Sequence, residues 1–80
     1  MKIKTLFFGI TTDLVETSNI DLEFSEASTV LDFKNLLKKN YPQLENLDSY
    51  AIAVNECYAT DDLILKKNDI VAVIPPVSGG

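Results

Sequence analysis

Ile70-Val71-Ala72-Val73-Ile74-Pro75-Pro76-Val77-Ser78-Gly79-Gly80 is the stretch whose reading decides the fold. Val71 to Ile74 is a run of β-formers, so 70–74 reads as a strand. The two prolines stop it, because neither can donate to a strand ladder and both fix φ. Gly79 and Gly80 then carry no side chain, although glycine loses the most backbone freedom on ordering. Six residues from Pro75 reach at most roughly 20 Å. The reading is a compact domain over 1–76 and a flexible Gly-Gly tail over 77–80. A tail this thin can thread a narrow channel in a partner and present the Gly80 carboxylate there. Frayed chain ends are common, but a Pro-Pro stop before Gly-Gly has the form of a delivery arm.

Working outward, Lys67-Asn68-Asp69 is a turn, and 63–65 is a brief strand or an irregular segment. Ala51 to Val54 is a short apolar strand, and Asn55-Glu56 a turn. The one long helical pattern lies earlier. Thr29 can cap a helix, with Asp32 at the third helical position near the positive end of the dipole. Val30, Phe33, Leu37 and Tyr41 form an apolar stripe with Leu36 beside it. Lys38 and Lys39 fill the last turn, and Pro42 prevents continuation. Lys2 to Phe8 is a strand with Ile3, Thr5 and Phe7 on one face and Lys4, Leu6 and Phe8 on the other. Gly9 breaks it, and Ile10 to Val15 fits a short helical turn. Ile20, Leu22 and Phe24 alternate with Asp21 and Glu23, a half-buried strand. A first and a last strand of this kind can sit side by side in the sheet centre, with the helix across one face. The fold class is therefore α+β. If Ile3, Phe7, Val71 and Val73 face the helix, Phe8 and Ile74 lie on the other face near the exit of the tail, and Tyr58 joins them as a partner-binding cluster.

Size and composition bound the rest. Eighty residues make one domain with a small core. At 46% hydrophobic and 24% charged residues the composition is globular. Net charge is −5, with seven lysines, twelve acids and no arginine. That supplies no cationic stripe for nucleic acid and suits a protein partner with a basic docking site. Cys57 is the single cysteine, which excludes an internal disulfide and fits a reducing compartment. Neither a signal peptide nor an apolar run of membrane-spanning length is visible, so the expected location is cytoplasmic.

The chain has little chemistry of its own. There is no histidine, hence no ordinary general base and no common metal ligand. Cys57 lacks an activating partner and reads as a small filler near a turn. Asp61-Asp62 reads as a solvated face. No glycine-rich phosphate loop and no metal-ligand spacing occurs. No metal or bound cofactor is expected, and no catalysis by the chain alone. A carboxylate is a poor electrophile; it becomes reactive once joined to AMP. A sulfur nucleophile would then leave a thiocarboxylate, and a lysine amine an isopeptide.

Lys2-Ile3-Lys4-Thr5-Leu6-Phe7-Phe8-Gly9, Ala53-Val54-Asn55, and the run from Asn68 to Gly80 together resemble the small, sulfur-carrying subunit of molybdopterin synthase, the MoaD family. The resemblance spans nearly the whole length. It implies a ubiquitin-like β-grasp, a mixed sheet with one main helix packed across one face. It implies that an adenylating, E1-like enzyme activates Gly80 with ATP, and that a sulfur donor protein converts it to a thiocarboxylate. The tail, Pro75, Pro76, Val77, Ser78 and Gly79 included, then enters the large synthase subunit and gives its sulfur to cyclic pyranopterin monophosphate. The family's synthase is a heterotetramer of two small and two large subunits. Two departures stand out: Thr12 and Asp13 where many relatives place a basic residue, and Ile74 where some place an aromatic.

Two alternatives accompany this reading. One is a ubiquitin-like modifier conjugated to protein lysines through Gly80; the other is a binding-only adaptor, which leaves Gly79-Gly80 unexplained. The sulfur carrier of thiamine synthesis shares the Gly-Gly end, but the Pro-Pro before it fits that family poorly.

Overall fold

A computed structural model of the protein describes residues 1–46 and 50–75. The elements in chain order are β1 (Lys2–Phe7), α1 (Ile10–Val15), β2 (Asn19–Glu23), α2 (Val30–Asn40), a 3-10 helix (Pro42–Asn46), β3 (Ala51–Val54), β4 (Cys57–Tyr58) and β5 (Ile70–Ile74). The sheet order is β2-β1-β5-β3-β4. β1 and β5 are parallel neighbours; the other pairs are antiparallel. First and last strand thus meet in the sheet centre, as expected from sequence.

Burial follows the period of the strands. Ile3, Thr5 and Phe7 of β1 and Val71 and Val73 of β5 are buried beneath α2, which contributes Val30, Phe33 and Leu37. Val15, Leu22, Phe24, Ile52, Val54, Leu44 and Leu65 complete the core. Phe24 stacks on Phe33 with ring centroids 5.7 Å apart, and Phe7 meets Tyr41 edge-on at 6.1 Å. Such pairs add to simple area burial.

The start of α2 is fixed as the sequence suggests, and more tightly. The Thr29 hydroxyl accepts from the Asp32 amide at 3.3 Å, while the Asp32 carboxylate accepts from the Thr29 amide at 2.9 Å. This is a capping box closed in both directions. The helix does not simply stop at Pro42. Tyr41 N–H donates to the Leu37 carbonyl at 2.8 Å, and the chain re-enters a 3-10 turn that seats Leu44 in the core.

One expectation needs correction. Cys57 is not a filler; it is exposed on β4, an edge strand of two residues too short to enclose it. Residues 63–65 take the irregular form, one of the two the sequence allows. Leu65 is buried, Thr29 and Ile64 make a single bridge, and Leu63 and Ile64 face outward.

The β3–β4 turn is made by Asn55 and Glu56, at φ 51° and 69°. Both central residues are left-handed, the pattern of a hairpin turn in which Asn-Gly is preferred. Asn55 is also a clamp. Its side chain donates to Asp69 at 2.9 Å and accepts from the Ile70 amide at 3.0 Å, joining the hairpin to the start of β5. Glu56 makes no such contact, so Glu56→Gly should relieve backbone strain and remove one acid from a chain of net charge −5. The expected gain is about 0.5–1 kcal/mol, read as a rise of a few degrees in thermal midpoint. An unchanged or lower midpoint would contradict it.

Candidate functional site

Among the described residues the face of the sheet opposite α2 carries no helix, and its side chains follow from strand register. Leu6 pairs with Ala72, Ala72 with Ala53, and Ala53 with Tyr58, so these four form one row across β1, β5, β3 and β4. The two middle members are alanines. Around them stand larger groups: Ile70 and Ile74 along β5, Leu6 and Phe8 from β1, and Tyr58 from β4. Small side chains at the centre and large ones at the rim leave a shallow concavity of about 560 Å³, with Asn55 and Glu56 at one edge. Phe8 is 49% exposed and Tyr58 76%. Isolated exposed apolar residues are ordinary, but a contiguous cluster marks an interaction surface.

On the β1–β2 side of this face the charges are paired. Lys4 lies opposite Asp21 and Lys2 opposite Glu23 on the β1–β2 pair, cross-strand partners of opposite sign. The apolar area begins at Leu6 and runs toward the end of β5, where the chain leaves the sheet.

The root of the tail is built by Gly9 and Pro75. Gly9 has φ 55° and ψ −135° and stands at the start of α1. A Cβ there would lie 3.0 Å from Cγ of Pro75. The turn that delivers Gly9 is held by buried Thr11, whose hydroxyl accepts from the Phe8 amide at 3.0 Å and donates to the Phe8 carbonyl. One short loop therefore fixes Phe8 on the open face and leaves room for Pro75. Gly9→Ala should cost roughly 1–3 kcal/mol, from the left-handed backbone and the encroachment on Pro75. A denaturation series on this variant checks it; a loss below a few tenths of a kcal/mol would show that the loop relaxes freely.

Of the residues singled out from sequence, Phe8, Tyr58 and Ile74 lie together on this concavity, and Pro75 follows directly. Pro76, Val77, Ser78, Gly79 and Gly80 lie outside the described residues. The sequence reading missed the alanine floor, Leu6 and Ile70 as its walls, and Gly9 as the seat of Pro75. The available signal was two alanines at outward positions of adjacent strands.

Among the described residues, no group of three His, Cys, Asp or Glu side chains could hold a metal ion. No helix among them is long and apolar enough to cross a membrane.

Comparison with known proteins agrees with this architecture. The ThiS family model matches residues 5–80, running through Pro75 and Pro76 to the last glycine. The molybdopterin synthase sulfur carrier subunit of Arabidopsis thaliana is 35% identical over 81 residues, covering 100% of this chain and 84% of the plant protein. Among solved structures, a protein–protein complex of subunits 1 and 2 of the molybdopterin-converting factor from Helicobacter pylori contains a chain similar to this one. Its TM-score is 0.71 at 27% identity, with 100% of both chains covered. Small archaeal modifier protein 1 of Haloferax volcanii shares the fold, with a TM-score of 0.85 at 19% identity and 95% and 98% of the two chains covered. A five-stranded β-grasp sheet under one main helix, matched along nearly its whole length, places this chain in the ThiS family, with the molybdopterin synthase sulfur carrier subunits.

Proposed function

We propose that the protein is the sulfur carrier of a molybdopterin synthase and that the carboxylate of Gly80 is its working group. The observation that carries the reading is the juxtaposition at the end of β5. The apolar concavity and the root of the tail share one edge, through Phe8, Ile74 and Pro75. A partner that covers the concavity receives the tail beside it. The chemistry follows from the carboxylate. An ATP-dependent activating enzyme joins it to AMP with loss of pyrophosphate. A sulfur donor then displaces AMP, and reductive release from the donor leaves a C-terminal thiocarboxylate. Inside the large subunit the thiocarboxylate sulfur attacks cyclic pyranopterin monophosphate, and hydrolysis of the resulting acyl link restores the carboxylate. Two charged carriers are consumed per dithiolene.

The likeness to a small archaeal modifier protein favours a second reading on the same tail, in which a lysine amine displaces AMP and leaves an isopeptide. Intact mass of the protein recovered from cells separates the two. A free chain heavier by the difference between sulfur and oxygen supports the carrier. Chains found only as adducts on lysines of larger proteins would replace it with the modifier.

A further inference from the structure

A second apolar cluster lies on the helix side of the sheet, away from the concavity. The segment from Asp61 to Leu65 runs across the first turn of α2. The Val30 amide donates to the Leu63 carbonyl at 2.9 Å, the Leu31 amide to the Asp61 carbonyl at 3.0 Å, and the Leu65 amide to the Ser28 carbonyl at 2.8 Å. This docking buries Leu65 and turns its neighbours outward. Leu31 is 47% exposed, Leu63 42% and Ile64 53%. Three large aliphatic groups brought together by two segments are more than a scattered exposed leucine.

The rim of this cluster is acidic. Asp32, Asp61 and Asp62 surround it, and all three are exposed. Of the nearby cations, Lys34 pairs with Asp61 at 2.7 Å and Lys66 is exposed just past Leu65, so three acids stand against two lysines and the rim is net acidic. The Thr60 hydroxyl donates to the Asp62 carboxylate and holds its pKa below the usual range. A second copy of this chain would bring the same acids and the same net charge of −5, and an anionic membrane would be repelled likewise. The hydrogen bonds of Val30, Leu31 and Ser28 to this segment place the cluster at the first turn of α2, on the helix side of the sheet, whereas the concavity lies on the opposite face.

We propose that Leu31, Leu63 and Ile64 form a second docking surface, for a protein that presents an apolar knob ringed by lysine or arginine. None of the three lines the concavity, so one carrier can be held by two proteins at once. The inference does not depend on what the tail carries.

The test uses the full chain, isotope-labelled, titrated with a short amphipathic peptide of leucine and lysine and followed by its amide resonances. Saturable shifts centred on Leu31, Asp61, Leu63 and Ile64 are expected, with none from a leucine–glutamate peptide of the same pattern. Leu63→Asp, or Ile64→Asp if that variant loses its folded spectrum, should weaken binding by about tenfold or more. Shifts centred instead on Leu6, Phe8, Tyr58 and Ile70 would overturn the proposal. So would equal response to the acidic peptide, shifts that grow with protein concentration alone, or no saturable binding.

Discussion

A chain carrying one extra, uncleavable residue after Gly80 should not load sulfur at all, while folding as before. The reason is that the proposed reacting atom is the carbonyl carbon of Gly80. Adding a residue turns that carbon into an ordinary amide and moves the carboxylate past the place where it is activated. Deleting Gly80 shortens the reach instead; effective catalysis needs reacting atoms within a few tenths of an ångström of their productive place. Gly79→Val should load far more slowly than the parent, because a branched side chain narrows the allowed backbone and widens the stalk. The measurement is thiocarboxylate formation with the activating enzyme and ATP, read by intact mass, with thermal midpoint as the folding control. Molybdopterin produced at the normal rate from the extended chain would remove Gly80 from the mechanism. None of these changes touches the described core, so a loss of loading would not be a loss of fold.

Phe8→Asp should weaken binding to the large synthase subunit by about a hundredfold or more, while lowering stability by less than about 1 kcal/mol. Phe8 is about half exposed in the free domain, so folding gains little from it. In a complex it would be fully desolvated against a partner, and an aspartate there would be a buried, unpaired charge. A companion variant separates surface from tail. The domain ending at Pro76 keeps Phe8, Tyr58 and Ile74 and should still compete with the full chain in a synthase assay. A synthetic peptide of residues 75–80, even as a thiocarboxylate, should be a far poorer donor than the whole protein. Fixing each tail residue costs roughly 1–2 kcal/mol, and the body must offset that. If the truncated domain fails to inhibit where the uncharged full chain succeeds, the tail itself supplies the affinity.

The parts of this fold that sequence reveals are those with a period or a cap. β1 alternates over its whole length, α2 shows a stripe at helical spacing between Thr29 and Pro42, and β5 is bounded by a turn and two prolines; all three occur where the pattern places them. β4 does not show itself, because two residues have no period; Cys57 and Tyr58 become a strand only by pairing with Val54 and Ala53. Leu65 is core although its segment is irregular, since the hydrogen bonds that seat it come from Ser28 and Val30 far away in sequence. The candidate site divides in the same way. Phe8 and Ile74 follow from strand alternation. The outward position of Ala72 follows from the same alternation, but its role as a floor does not, because only register brings Ala53 and Ala72 side by side. Gly9 was legible as a break, and its role beside Pro75 was not, since that contact joins the two ends of the described chain.

The position of β5 in the sheet bears on when the protein becomes usable. It is the last strand in order, yet it lies between β1 and β3. On the ribosome, β1 and β2 can pair as a hairpin early, but β3 has no neighbour on its inner side until residues 70–74 have been made. Closure of the sheet must therefore wait until residues 70–74 have been made, and contacts of such wide sequence separation form slowly. The stretch just beyond β5 is the one proposed to be activated. A chain that has not yet made β5 thus offers a partner neither the finished concavity nor Pro75 in its seat against Gly9. On the proposed role of Gly80, charging therefore follows folding.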